Sequence, residues 1–335
     1  MGSGKLTPSP AGDEFLLREY GIHVVRCSLP IPGTINVYFV KDPLPTIIDV
    51  PAQGAKYVDE LDRGLRAAGS SLRDIRRIII THPHFDHFGS AREIIDRNGA
   101  ELWVFKEGAS WIEQCRKELD RQDSHRQRLL TEAGAPPSDV ELVTGYYREA
   151  TRFAAEARAS RLLSAGDALE LGDAALTVVP VPGHTPFCIL LLDADNRMAF
   201  TGDFLPIFIP ANPLVQWKDT RSPTYKTTMS YVSSLTKARA MNLKLALPGH
   251  GPLIEDPTKR VDRLLASIEK RRADVLKALE EGGKTPFEIA REVFPEAPRE
   301  SLFRTVSDVM GQLEMLEYEA VVRRSETMPI VFALT

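Results

Sequence analysis

The 335-residue chain is 43% hydrophobic and 26% charged, the balance of an ordinary globular protein, and is long enough for one large domain with a small one or for two medium ones. A net charge of -4 gives no electrostatic reason to expect nucleic acid or an anionic membrane as partner. Cys27, Cys115 and Cys188 are odd in number, far apart and in no CxxC pair, so neither a disulfide framework nor a thiolate zinc site is expected. No run reaches the length of a membrane span, and Pro8, Pro10 and Asp13 stand where the apolar part of a secretion signal would lie. Leu6 stands where the myristoylation motif opened by Met1-Gly2 wants Ser or Thr. A cytoplasmic protein in a reducing compartment is expected.

Residues 1–12, rich in Gly, Ser and Pro, read as a flexible extension. Short apolar runs bounded by Pro and Gly at 22–27, 36–40 and 46–50 then read as successive strands, the third carrying Asp49. Val58, Leu61 and Leu65 at helical spacing mark an amphipathic helix over 55–68, followed by a strand at 77–80. A second helix over 90–97, stopped by Asn98-Gly99, leads to a strand at 101–105, and the alternation argues for an α/β domain. Residues 109–160 break the rhythm. Two helical stretches, 111–133 and 140–158, meet at Gly134-Ala135-Pro136-Pro137 as an inserted hairpin, whose Trp111, Tyr146 and Tyr147 serve either as substrate contacts or as core packing. Strands return at 175–181, 189–192, 198–201 and 243–247, with a helix over 230–240. Between Phe204 and Trp217 lies an apolar, Pro-rich loop suited to a pocket wall or to core cover. Beyond Gly251, three helices (260–279, 286–294, 300–316) and a hairpin (319–324, 330–333) are expected.

The chemistry concentrates at Thr81-His82-Pro83-His84-Phe85-Asp86-His87, three histidines and a carboxylate within six residues directly after an apolar strand. Imidazole and carboxylate are ligands that suit zinc, manganese or iron, and so dense a run would be costly to bury without a cation. Pro182-Gly183-His184-Thr185, Thr201-Gly202-Asp203 and Pro248-Gly249-His250-Gly251 each place a further candidate in a turn after an apolar run. Together these use five of the seven histidines, all at strand ends. His23 and His125 fall outside the pattern and read as ordinary surface or core residues.

This ordered set, His-x-His-x-Asp-His followed by Gly-His, Asp and Gly-His, resembles the metallo-β-lactamase-fold hydrolase superfamily over about the first three-quarters of the chain. The resemblance implies an αββα sandwich. It implies that His82, His84 and His184 hold one metal, Asp86, His87 and His250 a second, and that Asp203 bridges them. Asp49 would support the site from behind, although Asp49-Val50-Pro51 replaces the family's Asp-Thr-Gly. His84 argues for two zinc ions, with iron or manganese as alternatives, because di-iron flavoproteins of this fold carry Glu there. Two cations would polarise a shared water into a nucleophile at neutral pH, with Asp86 also placed among the catalytic groups. Phe187-Cys188 after Pro186, and Phe204 after Asp203, depart from common family residues and alter the rim. Cys188 reads as a small buried hydrophobe.

The tail resembles a winged-helix module, as in the lactamase-β-2-like branch. From Glu255 onward 13 Lys and Arg face 16 Asp and Glu, and Asp308 and Glu314 stand on the helix that a DNA reader would make basic. A structural, dimerising or pocket-covering role is therefore expected rather than duplex binding. The organisation expected is 1–12 flexible, 13–255 catalytic with an insertion near 109–160, and 256–335 winged-helix-like. The function expected is a dinuclear zinc hydrolase of a small thioester, ester or lactone, of the glyoxalase-II or lactamase-β-2-like kind, with Phe204, Trp217 and Tyr146 as candidate substrate contacts. A single-strand RNA nuclease and a mononuclear-iron sulfur dioxygenase are the alternatives.

Overall fold

A computed structural model describes residues 17, 20–31, 33–41, 43–207, 213–215 and 226–335. Six strands form one sheet in simple sequential order, β1 (Ile22–Ser28), β2 (Thr34–Val40), β3 (Thr46–Ile48), β4 (Arg77–Ile80), β5 (Glu101–Phe105) and β6 (Arg161–Leu163). The first three are antiparallel and the last three continue parallel from β3. A second sheet has the order β11-β10-β9-β8-β7, built from β7 (Ala168–Leu171), β8 (Ala174–Pro180), β9 (Ile189–Asp193), β10 (Met198–Gly202) and β11 (Leu245–Pro248).

The sequence sorts its side chains into layers by alternation. Ile79 points into the core between the sheets, whereas Ile78 and Ile80 point to the opposite face, where Val58, Leu61 and Leu65 of α1 (Ala55–Ala67) and Ile94 meet them. In the second sheet Val178, Ile189 and Leu191 face the first sheet. Val179 and Leu190 face outward, under Tyr231 and Leu235 of α7 (Thr227–Ala240) and Leu264 of α8 (Pro257–Ala278). Each such aliphatic side chain taken out of water contributes about 1.5–3 kcal/mol. The result is the αββα sandwich expected.

Between β4 and β5 lie α2 (Phe85–Phe88) and α3 (Ala91–Asn98). The insertion after β5 departs from the expected two-helix form. A break at Gln114 divides its first arm into α4 (Ala109–Glu113) and α5 (Cys115–Glu132). The second arm, α6, is helical only over Pro137–Ala150 and gives way to a 3-10 turn at Thr151–Phe153. The chain after it is taken up by tertiary hydrogen bonds: Phe153 O accepts from Gln53 N, Ala155 N donates to Gly89 O and Ala157 N to Ile112 O. Those bonds outcompete continued helix.

Past β11, α8, α9 (Pro286–Val293) and α10 (Leu302–Tyr318) are followed by the two-stranded antiparallel hairpin β12 (Val322–Arg324) and β13 (Phe332–Leu334). Their apolar core, including Val275, Ile289, Val306, Leu313 and Phe332, also takes in Leu129, Leu130 and Val143 of the insertion. Insertion and tail thus share one core. No described helix is long and apolar enough to cross a membrane.

Candidate metal centre

Strands β3 to β6 run parallel, and β8, β10 and β11 share one direction, so the loops leaving their C-terminal ends gather at one edge of the sandwich. Asp49 follows β3, the His82 to His87 run follows β4, and His184, Asp203 and His250 follow β8, β10 and β11. Backbone bonds stitch the two sheets together there. Ile189 N donates to Thr81 O at 3.0 Å and Asn36 N to Gly249 O at 2.7 Å, while Gly249 N, donating to Gly202 O at 2.8 Å, ties the ends of β11 and β10 within the second sheet. Gly202 is needed where it stands. Its φ of +47° is left-handed, and a Cβ on it would lie 2.4 Å from Thr81 Oγ1.

All seven candidate ligands come together in two groups, His82, His84, His184 and Asp203 in one and Asp86, His87 and His250 in the other, each with its donor atoms within 4.8 Å of one another. His84 Nδ1 lies 3.1 Å from His82 Nε2 and 3.0 Å from His184 Nε2, and Asp203 Oδ2 is 3.6 Å from His184 Nε2. In the second group His87 Nε2 and His250 Nε2 are 3.3 Å apart, each is 3.4 Å from Asp203 Oδ1, and Asp86 Oδ2 is 3.4 Å from His250 Nε2. Donors about 2.0–2.1 Å from a tetrahedral zinc stand about 3.3 Å from one another. The observed spacings fit that figure, and Asp203 turns one oxygen toward each group.

The nitrogens turned away from the cluster are anchored. Thr81 gives its backbone N–H to Asp49 Oδ1 and its hydroxyl proton to Asp49 Oδ2, both at 2.8 Å, so its oxygen is left to accept from His82 Nδ1 at 3.2 Å. His87 Nδ1 donates to Asp49 Oδ2 at 2.8 Å and His250 Nδ1 to the Thr34 carbonyl at 2.7 Å. In each ring Nε2 is thereby turned toward the cluster, the arrangement that orients ligating histidines. Asp49 adopts φ +60°. Without the family's Asp-Thr-Gly turn it still reaches both Thr81 and His87.

The electrostatics suit a cation. Burial, with His87 and His84 nearby, drives His82 well below the ordinary imidazole range, and burial with His184 takes His84 down to about 3. Burial also lowers His184. These rings are neutral, the form that ligates. Burial alone would raise Asp203, but His250 and His87 outweigh it and hold that carboxyl well below its usual range. His250 does the same for Asp86, which falls to about 2. Burial opposes protonation of His87, yet Asp203 and Asp49 raise it to about 10, and His250 is raised well above normal mainly by Asp203. Those protons neutralise carboxylates that a cation would otherwise neutralise.

The other candidates are placed differently. The expectation that Phe204 walls a substrate pocket is corrected: its side chain is fully buried, edge-on to Tyr231 with centroids 5.8 Å apart, so it serves the core. Trp217 lies outside the described residues, as do 208–212 and 216 of its loop. Tyr146 is exposed against Tyr147, which packs in turn on Phe303, and Trp111 packs on Phe187. Cys188 is buried near Thr185 and its thiol is pushed up to about 12, chiefly by burial. Sequence reading missed Thr81, Thr34 and Asn36. Thr81 adjoins His82 in the chain, but its partner Asp49 is distant, and Thr34 and Asn36 on β2 meet the His250 loop more than 200 residues away.

Comparison with known proteins agrees with this geometry. The family model for the metallo-beta-lactamase superfamily matches residues 31–250. The chain is 26% identical over 302 residues to the "Probable metallo-hydrolase YqjP" of Bacillus subtilis (strain 168), spanning 89% of this chain and 93% of that one. It is 28% identical over 183 residues to the "Acyl-coenzyme A thioesterase MBLAC2" of Gallus gallus, spanning 51% of this chain and 55% of that one. A crystal structure of a metallo-beta-lactamase family protein from Thermus thermophilus shares the fold with a TM-score of 0.79 at 22% identity, over 94% of this chain and 99% of the other. A histidine and carboxylate cluster at the strand ends, inside a matched region that spans most of the sandwich, identifies a metal-dependent hydrolase, and the chain belongs to the metallo-β-lactamase superfamily.

Proposed function

We propose that the protein is a dinuclear zinc hydrolase acting on a small thioester. The observation that carries this reading is the division of the seven donors into two groups that share Asp203, with one carboxylate oxygen turned to each. His82, His84 and His184 would hold one ion, Asp86, His87 and His250 the other. Such a pair supplies Lewis acidity when bound, making water acidic enough to yield a nucleophile near neutral pH and polarising a carbonyl.

The chain's own groups narrow the substrate. Asp86 and Asp203 are both held ionised at neutral pH, so neither carboxyl has a proton to give to a leaving group. A leaving group that departs as an anion suits that arrangement. A thiolate, with an ordinary pKa near 8.5 for a thiol such as cysteine, leaves far more readily unprotonated than an alkoxide. The acyl-coenzyme A thioesterase among the similar proteins supports the same class. Residues 13–255 would form the catalytic unit and 256–335 a winged-helix-like module that packs on the insertion, its role structural.

Metal analysis of the purified protein, combined with a panel of acyl-thioester, lactone, cephalosporin and RNA substrates, tests the reading. About two zinc ions per chain and preferential thioester turnover are expected. One iron per chain with oxygen uptake would replace it with a sulfur dioxygenase, and RNA cleavage without acyl hydrolysis with a nuclease.

A further inference from the structure

Two ligand-bearing loops of the second sheet, Pro182-Gly183-His184 and Gly202-Asp203-Phe204, are separate in sequence, yet both rest on one face of α7. Tyr231 is almost wholly buried there, and its hydroxyl donates to the Phe204 carbonyl at 2.8 Å, one residue past Asp203. The same residue closes against Gly183, one residue before His184. A Cβ built on Gly183 would stand 2.3 Å from Tyr231 Cδ2 and 2.7 Å from its Cα. One turn further along, Ser234 Oγ donates to the Pro182 carbonyl at 2.8 Å. Residues three apart on a helix share a face, so a single rigid element contacts both loops.

We infer that Tyr231 and Ser234 are positioning residues that hold His184 and Asp203 at ligating distance from their partners, so that α7 sets the geometry of the metal pair. His184 belongs to one donor group and Asp203 is shared, so slack in either loop opens the first group and loosens the bridge to the second. Groups that orient ligands commonly change metal affinity by about 10- to 100-fold when removed. The helix is itself seated from the other side. Thr228, one turn before Tyr231, abuts α10 so closely that a Cβ on Gly311 would lie 1.9 Å from its Oγ1.

This inference rests on the metal-centre reading, and a metal-binding test separates the two. The full-length wild-type protein, Tyr231→Phe, Ser234→Ala and a control in the same helix core, Leu235→Val, would be titrated with zinc against a chromophoric chelator. Each would also be loaded with cobalt(II) to record its visible absorption, and its Tm measured. Tyr231→Phe and Ser234→Ala are expected to weaken zinc binding by about tenfold and to shift the cobalt bands, whereas Leu235→Val lowers Tm but leaves affinity within about twofold and the bands in place. Should Tyr231→Phe not fold, Ser234→Ala carries the test alone. Wild-type affinity and spectra in the two loop-facing variants, or an equal loss in Leu235→Val, would overturn the role of α7. A wild-type protein that takes up neither metal would overturn the metal centre itself.

Discussion

A methyl group at position 249 would stand 2.5 Å from His87 Cε1 and 2.7 Å from Asp203 Oδ1. Neither neighbour is free to retreat, since His87 is tied to Asp49 and Asp203 faces both donor groups. Gly249→Ala is therefore expected to lower kcat/KM by at least about 100-fold and to reduce bound metal, while the far-ultraviolet circular dichroism stays that of the wild type. Retained turnover would mean that the donors are not as crowded as described. Glycine precedes three of the seven ligands, at 183, 202 and 249, and in each case another group occupies the space a side chain would need. That is why the ligands were legible as Gly-His and Gly-Asp pairs after apolar runs. The contacts that tune them were not legible, because Thr34, Thr81 and Tyr231 carry no mark that distinguishes them from any other threonine or tyrosine.

At the scale of elements, most strands of the sandwich are readable from period-2 alternation and Pro or Gly boundaries, but β6 and β7 escape that reading. A signal for β7 exists: Leu169 and Leu171 alternate with exposed positions, and the two-residue loop Gly172-Asp173, with φ of +60° at Gly172, joins it to β8 as a hairpin. For β6 there is none, since it is a three-residue edge strand with Leu162 exposed. The break at Gln114 follows from packing, since Ile112 O is claimed by Ala157 N. Helix α9 is legible for a local reason. Thr285 and Glu288 form a reciprocal capping box, with Thr285 Oγ1 accepting from Glu288 N and Glu288 Oε2 accepting from Thr285 N. Thr285→Ala should cost about 1 kcal/mol, read as a lower denaturant midpoint at unchanged slope.

At the scale of the molecule, the tail and the insertion are bound by a common core, and the acidic side chains that argue against a duplex-reading helix turn inward. Burial raises Asp308 to about 6 and Glu314 to about 7, with Arg271 and Lys226 offsetting only part of it. The sign is that of a carboxyl holding its proton more tightly when folded. Stability contributed by Glu314 is greatest near or below pH 4.5, its unfolded value, and is lost as pH rises toward 7. Glu314→Gln should match wild type in unfolding free energy near pH 4 and exceed it at pH 8, by something on the order of 1–3 kcal/mol. Equal stability at both values would show that the carboxyl is solvated.

The division of donors between the two sheets carries a consequence of its own. His82, His84, Asp86 and His87 hang from one layer and His184, Asp203 and His250 from the other, so any ion seated among them rivets two slabs that otherwise meet through greasy contacts and a few amide links. Hydrolytic power and mechanical cohesion then reside in the same bonds, and stripping the ions would loosen the sandwich at the very edge where it works.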